Sequence, residues 1–197
     1  VGLIVLAEPI VAVAFGRGEF TREQVLATAD SLRWQAAGVW AIASVRAVLP
    51  MFLAYQDTKS PVVASAANLL IFAPAAWLLM GAFDHVGVAM ALSAAGIAQL
   101  VTLLALLRRK VGRLGLTAVV HSALRSCAAA CAMGAAAWGI TRLGAWERGG
   151  NDLVNVAVLA AAAIAALLVY GAAARVLRSA ELADIADGVR RRAGRPR

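Results

Sequence analysis

The residue of this chain best placed to do chemistry in an apolar setting is Arg46, a permanent cation inside a run that is otherwise apolar until Tyr55. A guanidinium is costly at membrane depth unless it faces protein or water, and it pairs bidentately with diphosphates and carboxylates while staying charged. Pro50, four residues on, frees a backbone carbonyl and bends the helix. The chain then turns through Gln56-Asp57-Thr58-Lys59 and restarts at Ser60-Pro61, with Ser60 expected as N-cap and Pro61 at the first helical position. Arg46 is read as lining a cavity, against an anionic head group or an acid on another helix, with a snorkelling arginine as the plainer alternative. Asp57, Thr58 and Lys59 are read either as a gate or hinge contact at one membrane face or as an ordinary capped turn. Pro50 is the expected bending point.

No enzyme constellation accompanies these residues. His85 and His121 fall at opposite membrane faces, no nucleophile, base and orienter can be assembled, and no glycine-rich phosphate loop follows a strand. Cys127 and Cys131 lie four apart in an alanine-rich helix and read as small apolar fillers, with no further cysteine to complete a zinc set. The expectation is therefore no catalytic residue, no metal and no cofactor. Ser65, Asn68, Ser93, Gln99 and Gln35 are neutral polar residues within helices, where hydrogen bonding between helices is the usual role.

The elements that position Arg46 follow from composition. Apolar residues make up 62% of the 197 and mean hydropathy is +0.78, against roughly 45 to 50% apolar content in soluble domains. Six apolar segments run from Val1 to about Phe15, about Asp30 to Ala54, Pro61 to Gly81, Val86 to Leu107, about Val119 to Arg142, and Asp152 to Ala174. Each is too long and too uniformly apolar for an alternating strand, so an all-α, polytopic transmembrane bundle is expected. The first segment is shorter than the roughly 20 residues a span needs, and the chain has no initiator Met. It reads as a C-terminal fragment cut inside a helix rather than as a signal peptide.

A net charge of +8 does not call for nucleic acid, because the basic residues sit between and after apolar runs. One set of loops holds twelve Lys and Arg, from Lys59 through Arg108, Arg109, Lys110 and Arg113 to the tail, and the other set holds five. The richer side is assigned to the cytoplasm, which places the C-terminus inside. Trp34, Trp40, Trp77, Trp138 and Trp146 then all fall in the outer half, as interfacial indoles should. Thr21 to Gln24 reads as a capping box. Ser179 to Arg192 reads as a short helix on the anionic inner leaflet.

Three stretches in order carry a family likeness: Val5-Leu-Ala-Glu-Pro-Ile through Phe15-Gly-Arg-Gly-Glu-Phe20, Arg46-Ala-Val-Leu-Pro-Met-Phe-Leu-Ala-Tyr-Gln-Asp-Thr-Lys-Ser-Pro61, and His85-Val-Gly-Val88. The chain resembles the MurJ/MviN family of lipid II flippases, within the multidrug, oligosaccharidyl-lipid and polysaccharide exporters. The likeness is expected over residues 1 to about 110, with hydropathy alone agreeing beyond. Leu53-Ala54-Tyr55 and Ser60 depart mildly from the family pattern.

The resemblance implies the last six of fourteen helices of a multi-pass bacterial inner-membrane flippase. That protein would move the lipid II precursor, an undecaprenyl-linked saccharide, outward by alternating access, with lipid II, membrane lipids and the missing N-terminal helices as partners. It divides the chain into core helices (1–110), a final pair bordering the lipid-tail groove (111–176) and a basic cytoplasmic tail (177–197). Most cavity charges of the family lie on earlier helices, so this portion is not expected to transport alone. The alternatives are an exporter of another polyprenyl-linked saccharide, or a drug, and a membrane scaffold for cell-wall assembly proteins.

Overall fold

The computed structural model describes residues 1–16, 20–112, 116–144, 146 and 152–176, and the basic tail falls outside them. Five helices follow in order: α1 (Gly2–Phe15), α2 (Arg22–Ala54), α3 (Lys59–Val111), α4 (Leu116–Thr141) and α5 (Leu153–Val176). Among the described residues there is no strand, so the expected all-α membrane bundle stands. Apart from α1, all are long and apolar enough to cross a bilayer.

The 53 residues of α3 would reach about 80 Å as one rod, more than twice the hydrocarbon thickness of roughly 30 Å. The chain breaks it at Phe83 (φ −132°, ψ 15°) and Asp84 (φ 48°, ψ −134°), giving arms 59–82 and 85–111. These are the third and fourth expected helices, folded back on one another. Gly87 makes the fold-back possible. A Cβ there would overlap the Leu79 carbonyl and come within 2.8 Å of the Met80 nitrogen, so only a glycine lets the two backbones touch. Farther from the turn the arms are joined by amides. Asn68 Nδ2 donates to Gln99 Oε1 (3.2 Å), and Gln99 Nε2 donates to Ser65 Oγ (3.4 Å).

α2 begins where the expected capping box puts it. Thr21 and Gln24 form both halves of the box, so the helix starts at Arg22, ahead of the apolar segment from about Asp30. With 33 residues, about 50 Å, α2 extends beyond the hydrocarbon at its charged N-terminal end.

Lipid tails are as apolar as leucine, so helices in a membrane associate through close fit and polar links rather than through hydrophobic burial. A second close approach is between α2 and the second arm of α3. A Cβ on Gly38 would lie 2.8 Å from Ser93 Cα, and Ser93 Oγ donates to the Trp34 carbonyl at 2.5 Å. Below this contact Ala41, Val45 and Phe52 of α2 pack on Ala64, Leu100, Leu103 and Leu107 of α3. A second cluster joins α1 to α2 through Ala7, Val11, Ala12, Val25 and Ala29. A third joins α1 to the α4–α5 pair through Leu6, Ala137, Ala162 and Ala166. α1 thus sits between two helical units, α2–α3 and α4–α5. Of the glycines of the last pair, Gly134 meets Val1, just ahead of α1, while among the described residues nothing lies close to Gly139 or Gly171.

Candidate functional site

Arg46 is exposed, and among the described residues no partner lies within hydrogen-bond or ion-pair reach of it. It shares one face of α2 with Gln35, Val39, Pro50 and Leu53, spaced by four, seven, four and three residues, and all are exposed. α3 covers the neighbouring flank, about a quarter to a third of a turn round the helix, through Gly38, Ala41 and Val45. Pro50 lies inside the helix, and the carbonyl it deprives of an amide partner is that of Arg46, four residues back. The stripe therefore presents a cation and a freed carbonyl to whatever lies beside α2.

Asp57 and Thr58 occupy the turn between α2 and α3, with Gln56 at φ 53°, and Lys59 opens α3. The cap differs from expectation. α3 starts at Lys59, and Asp57 rather than Ser60 caps it: its Oδ1 accepts from the Lys59 and Ser60 amides at 3.0 and 3.1 Å. A carboxylate two residues before the helix reaches the first free amides, and Ser60, already inside the first turn, donates its hydroxyl to Asp57 Oδ2 at 2.6 Å. The same Oδ2 lies 2.6 Å from Lys110 Nζ at the end of the second α3 arm. Thr58 and Lys59 are exposed, and neither side chain takes part in the cap. The turn thus closes the α2–α3 unit at one end, and Arg46 is not drawn to it.

Lys110, followed by the Ser60 hydroxyl and amide, holds the Asp57 carboxyl well below its ordinary 3.8. Lowering in the folded state means that the added stability is complete above the unfolded value and lost as pH falls through the folded one. Thermal unfolding in detergent should therefore be flat in this respect from about pH 5 to 8 and decline only below about pH 4. Asp57→Asn should lower the plateau and remove that acidic decline.

The opposite end carries a charge cluster that the sequence reading passed over. Glu8, the one acid in the first apolar run, pairs with Arg22 and lies 3.6 Å from Arg33, which also binds Asp30 at 2.6 Å. The signal was available: a lone acid in an apolar helix needs a partner, and two arginines eleven residues apart share a helix face.

Between α1, α2, α4 and Tyr170 of α5 lies a groove of about 940 Å³. Its wall is apolar or small apart from Ser44, Ser126, Cys127 and Tyr170, with Gly2, Leu3, Val39, Trp40 and Ala130 among the lining. Val39 belongs to the same α2 face as Arg46, two turns away, about 10.5 Å along the axis. One helix face thus joins an apolar trough to a cation.

The family model described as lipid II flippase MurJ matches residues 1–149. The match runs past Lys110, where the likeness was expected to end, and takes in α4. A probable lipid II flippase MurJ of Bdellovibrio bacteriovorus is 30% identical over 132 residues, which are 67% of this chain and 25% of that protein. Those of Vibrio cholerae and Rickettsia prowazekii are 35% and 32% identical over 96 and 94 residues, covering 47% and 48% of this chain and 18% of each relative. The chain spans a quarter or less of the length of the curated relatives it matches.

Proposed function

The chain belongs to the lipid II flippase MurJ family, and from that premise we propose that it forms the C-terminal part of a transporter that carries lipid II across the bacterial inner membrane by alternating access. The observation that carries the reading is the α2 face on which Arg46 and the groove wall meet. An amphiphile with an anionic diphosphate head and a long polyprenyl tail needs a cation beside an apolar trough. Arg46 supplies a planar donor set for the diphosphate, and the groove takes part of the tail.

The Pro50 segment is the bending point beside the cation. Asp57, Thr58 and Lys59 form the cytoplasmic closure, in which Asp57, tied to Lys110 and to the α3 start, holds the α2–α3 unit together while the rest of the transporter moves against it. Lys59, Arg108, Arg109 and Lys110 share that end, which supports placing it in the cytoplasm by the positive-inside rule. α1 to α3 then belong to the core and α4–α5 to the groove border, with lipid II and the membrane lipids as ligands.

A chimera tests this. The matched segment of the full-length Bdellovibrio protein is replaced by this chain and expressed in cells depleted of their own lipid II flippase. Growth should resume. A chimera that reaches the membrane at the parent's level without restoring growth would overturn lipid II as substrate in favour of another polyprenyl-linked saccharide.

A further inference from the structure

The face of α2 that packs on α3 continues past that contact toward the start of the helix. Gln24, Ala27, Trp34, Gly38 and Ala41 recur along it at spacings of three, seven, four and three residues. From Trp34 onward the stripe is closed against the second arm of α3 by the approach of Gly38 to Ser93 and by the Ser93 bond to the Trp34 carbonyl. Nearer the α2 N-terminus the two elements enclose a cavity of about 310 Å³, lined by Phe20, Glu23, Gln24, Ala27 and Thr28 on one side and by His85 on the other. It lies at the end of the α2–α3 unit opposite the Asp57–Lys110 contact. Small-molecule sites run from roughly 300 to 1,000 Å³, so this one has room for a single ring rather than a chain.

The wall is set before any ligand arrives. Gln24 Oε1 accepts from the Thr21 amide at 3.0 Å, which engages the oxygen of that side chain and leaves its NH2 group as a donor. Phe20 is braced by Phe15, with ring centroids 6.1 Å apart. His85 opens the second arm of α3. Asp84 before it takes φ 48°, a conformation that costs a residue with a Cβ, and Gly87 two residues on is seated against the Leu79 carbonyl. The imidazole is thus carried on backbone fixed on both sides.

The chemistry of the wall discriminates among ligands. The Glu23 carboxylate only accepts hydrogen bonds, the Gln24 NH2 only donates, and the Thr28 hydroxyl and a neutral His85 imidazole each do both. An ammonium would be served by acceptors alone, and an anion by donors alone. Sugar hydroxyls donate and accept at once and need the mixture, and the Phe20 ring offers an apolar surface to the C–H face of a pyranose. We propose that this cavity is a saccharide subsite that takes one uncharged sugar ring, roughly 35 Å along α2 from Arg46. The origin of the sugar rests on the flippase reading, under which it is a ring of the transported head group held near the outer face. The subsite itself stands on the wall.

Saturation-transfer NMR on the chain in lipid nanodiscs tests it, with the methyl glycoside of N-acetylglucosamine as probe. Saturation should pass from the protein to the protons of the sugar ring. Glu23→Gln and Thr28→Val should each weaken binding about threefold to tenfold, as loss of one hydrogen bond does. His85→Phe should do the same while keeping a ring in place, and Arg46→Gln should change nothing. Circular dichroism of each variant should match the unsubstituted chain, since Glu23 and His85 are exposed and Thr28 is half-buried. Undiminished transfer in the Glu23→Gln, Thr28→Val double variant would mean an adventitious contact only and would overturn the subsite. Lysine amide and methyl phosphate are the ionic controls, and displacement of the sugar by either at equal concentration would overturn the saccharide assignment in favour of an ion site. The chimera judges the flippase reading separately. Growth restored without sugar transfer would strike the subsite and leave that reading, whereas transfer lost in the three variants without restored growth would leave the subsite and strike the reading.

Discussion

Gly87→Ala should unfold the α3 hairpin at a cost of about 3 kcal/mol or more, the upper end of what overpacking produces. The new Cβ would overlap the Leu79 carbonyl group and crowd the Met80 nitrogen. Both are backbone, so no rotamer change relieves the collision and the arms must part near Asp84. The separation propagates. Gln99 would leave Asn68 and Ser65, and Leu100, Leu103 and Leu107 would lose part of their packing on Ala64. Gly81 supplies the control on the same hairpin. A Cβ there meets nothing within 4 Å, so Gly81→Ala should change stability by less than about 0.5 kcal/mol. Unfolding of both variants in mixed micelles, followed by circular dichroism, measures the contrast, and equal stabilities would mean that the arms are not in backbone contact.

Arg46→Gln in the chimera should lower lipid II flipping by about tenfold to a hundredfold and leave stability nearly unchanged. The magnitude follows from the roughly 1.5 to 3 kcal/mol of a hydrogen bond to a charged group, at about 1.4 kcal/mol per factor of ten. Stability is spared because no described residue pairs with the guanidinium and its face of α2 is uncovered. Arg46→Lys should fall between, since an ammonium keeps the charge and loses the planar fork. Flipping and thermal unfolding measured on the same preparations separate the two effects. A variant that unfolds as it loses flipping would show Arg46 to be a structural partner instead.

What the sequence made legible follows the range of the interactions. Local chemistry was plain: the Thr21–Gln24 capping box spans three residues, and the break near Asp84 is marked by the polar Asp84-His85 between two long apolar runs. The same local signals, read alone, misplaced the α3 cap. Ser60 before Pro61 has the right pattern, but Asp57, farther upstream and charged, reaches the same amides and gains Lys110 as well.

For contacts between distant segments the sequence showed at most that a partner was needed, not which residue it was. Lys110 read only as one of several basic loop residues, and Glu8 only as one letter of a family stretch, because their partners lie 53 and 14 residues away in the chain. Glycines show the same limit. Gly38 packs against Ser93, while among the described residues nothing lies close to Gly139 or Gly171, in a stretch richer in small residues. A small side chain permits close approach, and only the neighbour decides whether approach occurs. The His85-Val-Gly-Val88 likeness was visible, but its physical content, a backbone seated on Leu79, came from the fold. The family likeness implied a groove at the last two helices, whereas the groove among the described residues is lined by α1, α2 and α4 with Tyr170 of α5.

The most direct test of the account is the appearance of lipid II at the outer face of the membrane. Cells depleted of their own flippase and carrying the chimera are exposed to a membrane-impermeant hydrolase that releases the lipid II head group only from the outer leaflet. The hydrolysed fraction should return to the level given by the parent flippase and fall again with Arg46→Gln. A hydrolysed fraction that stays at the depleted level, with the chimera present in the membrane in normal amount, would contradict it.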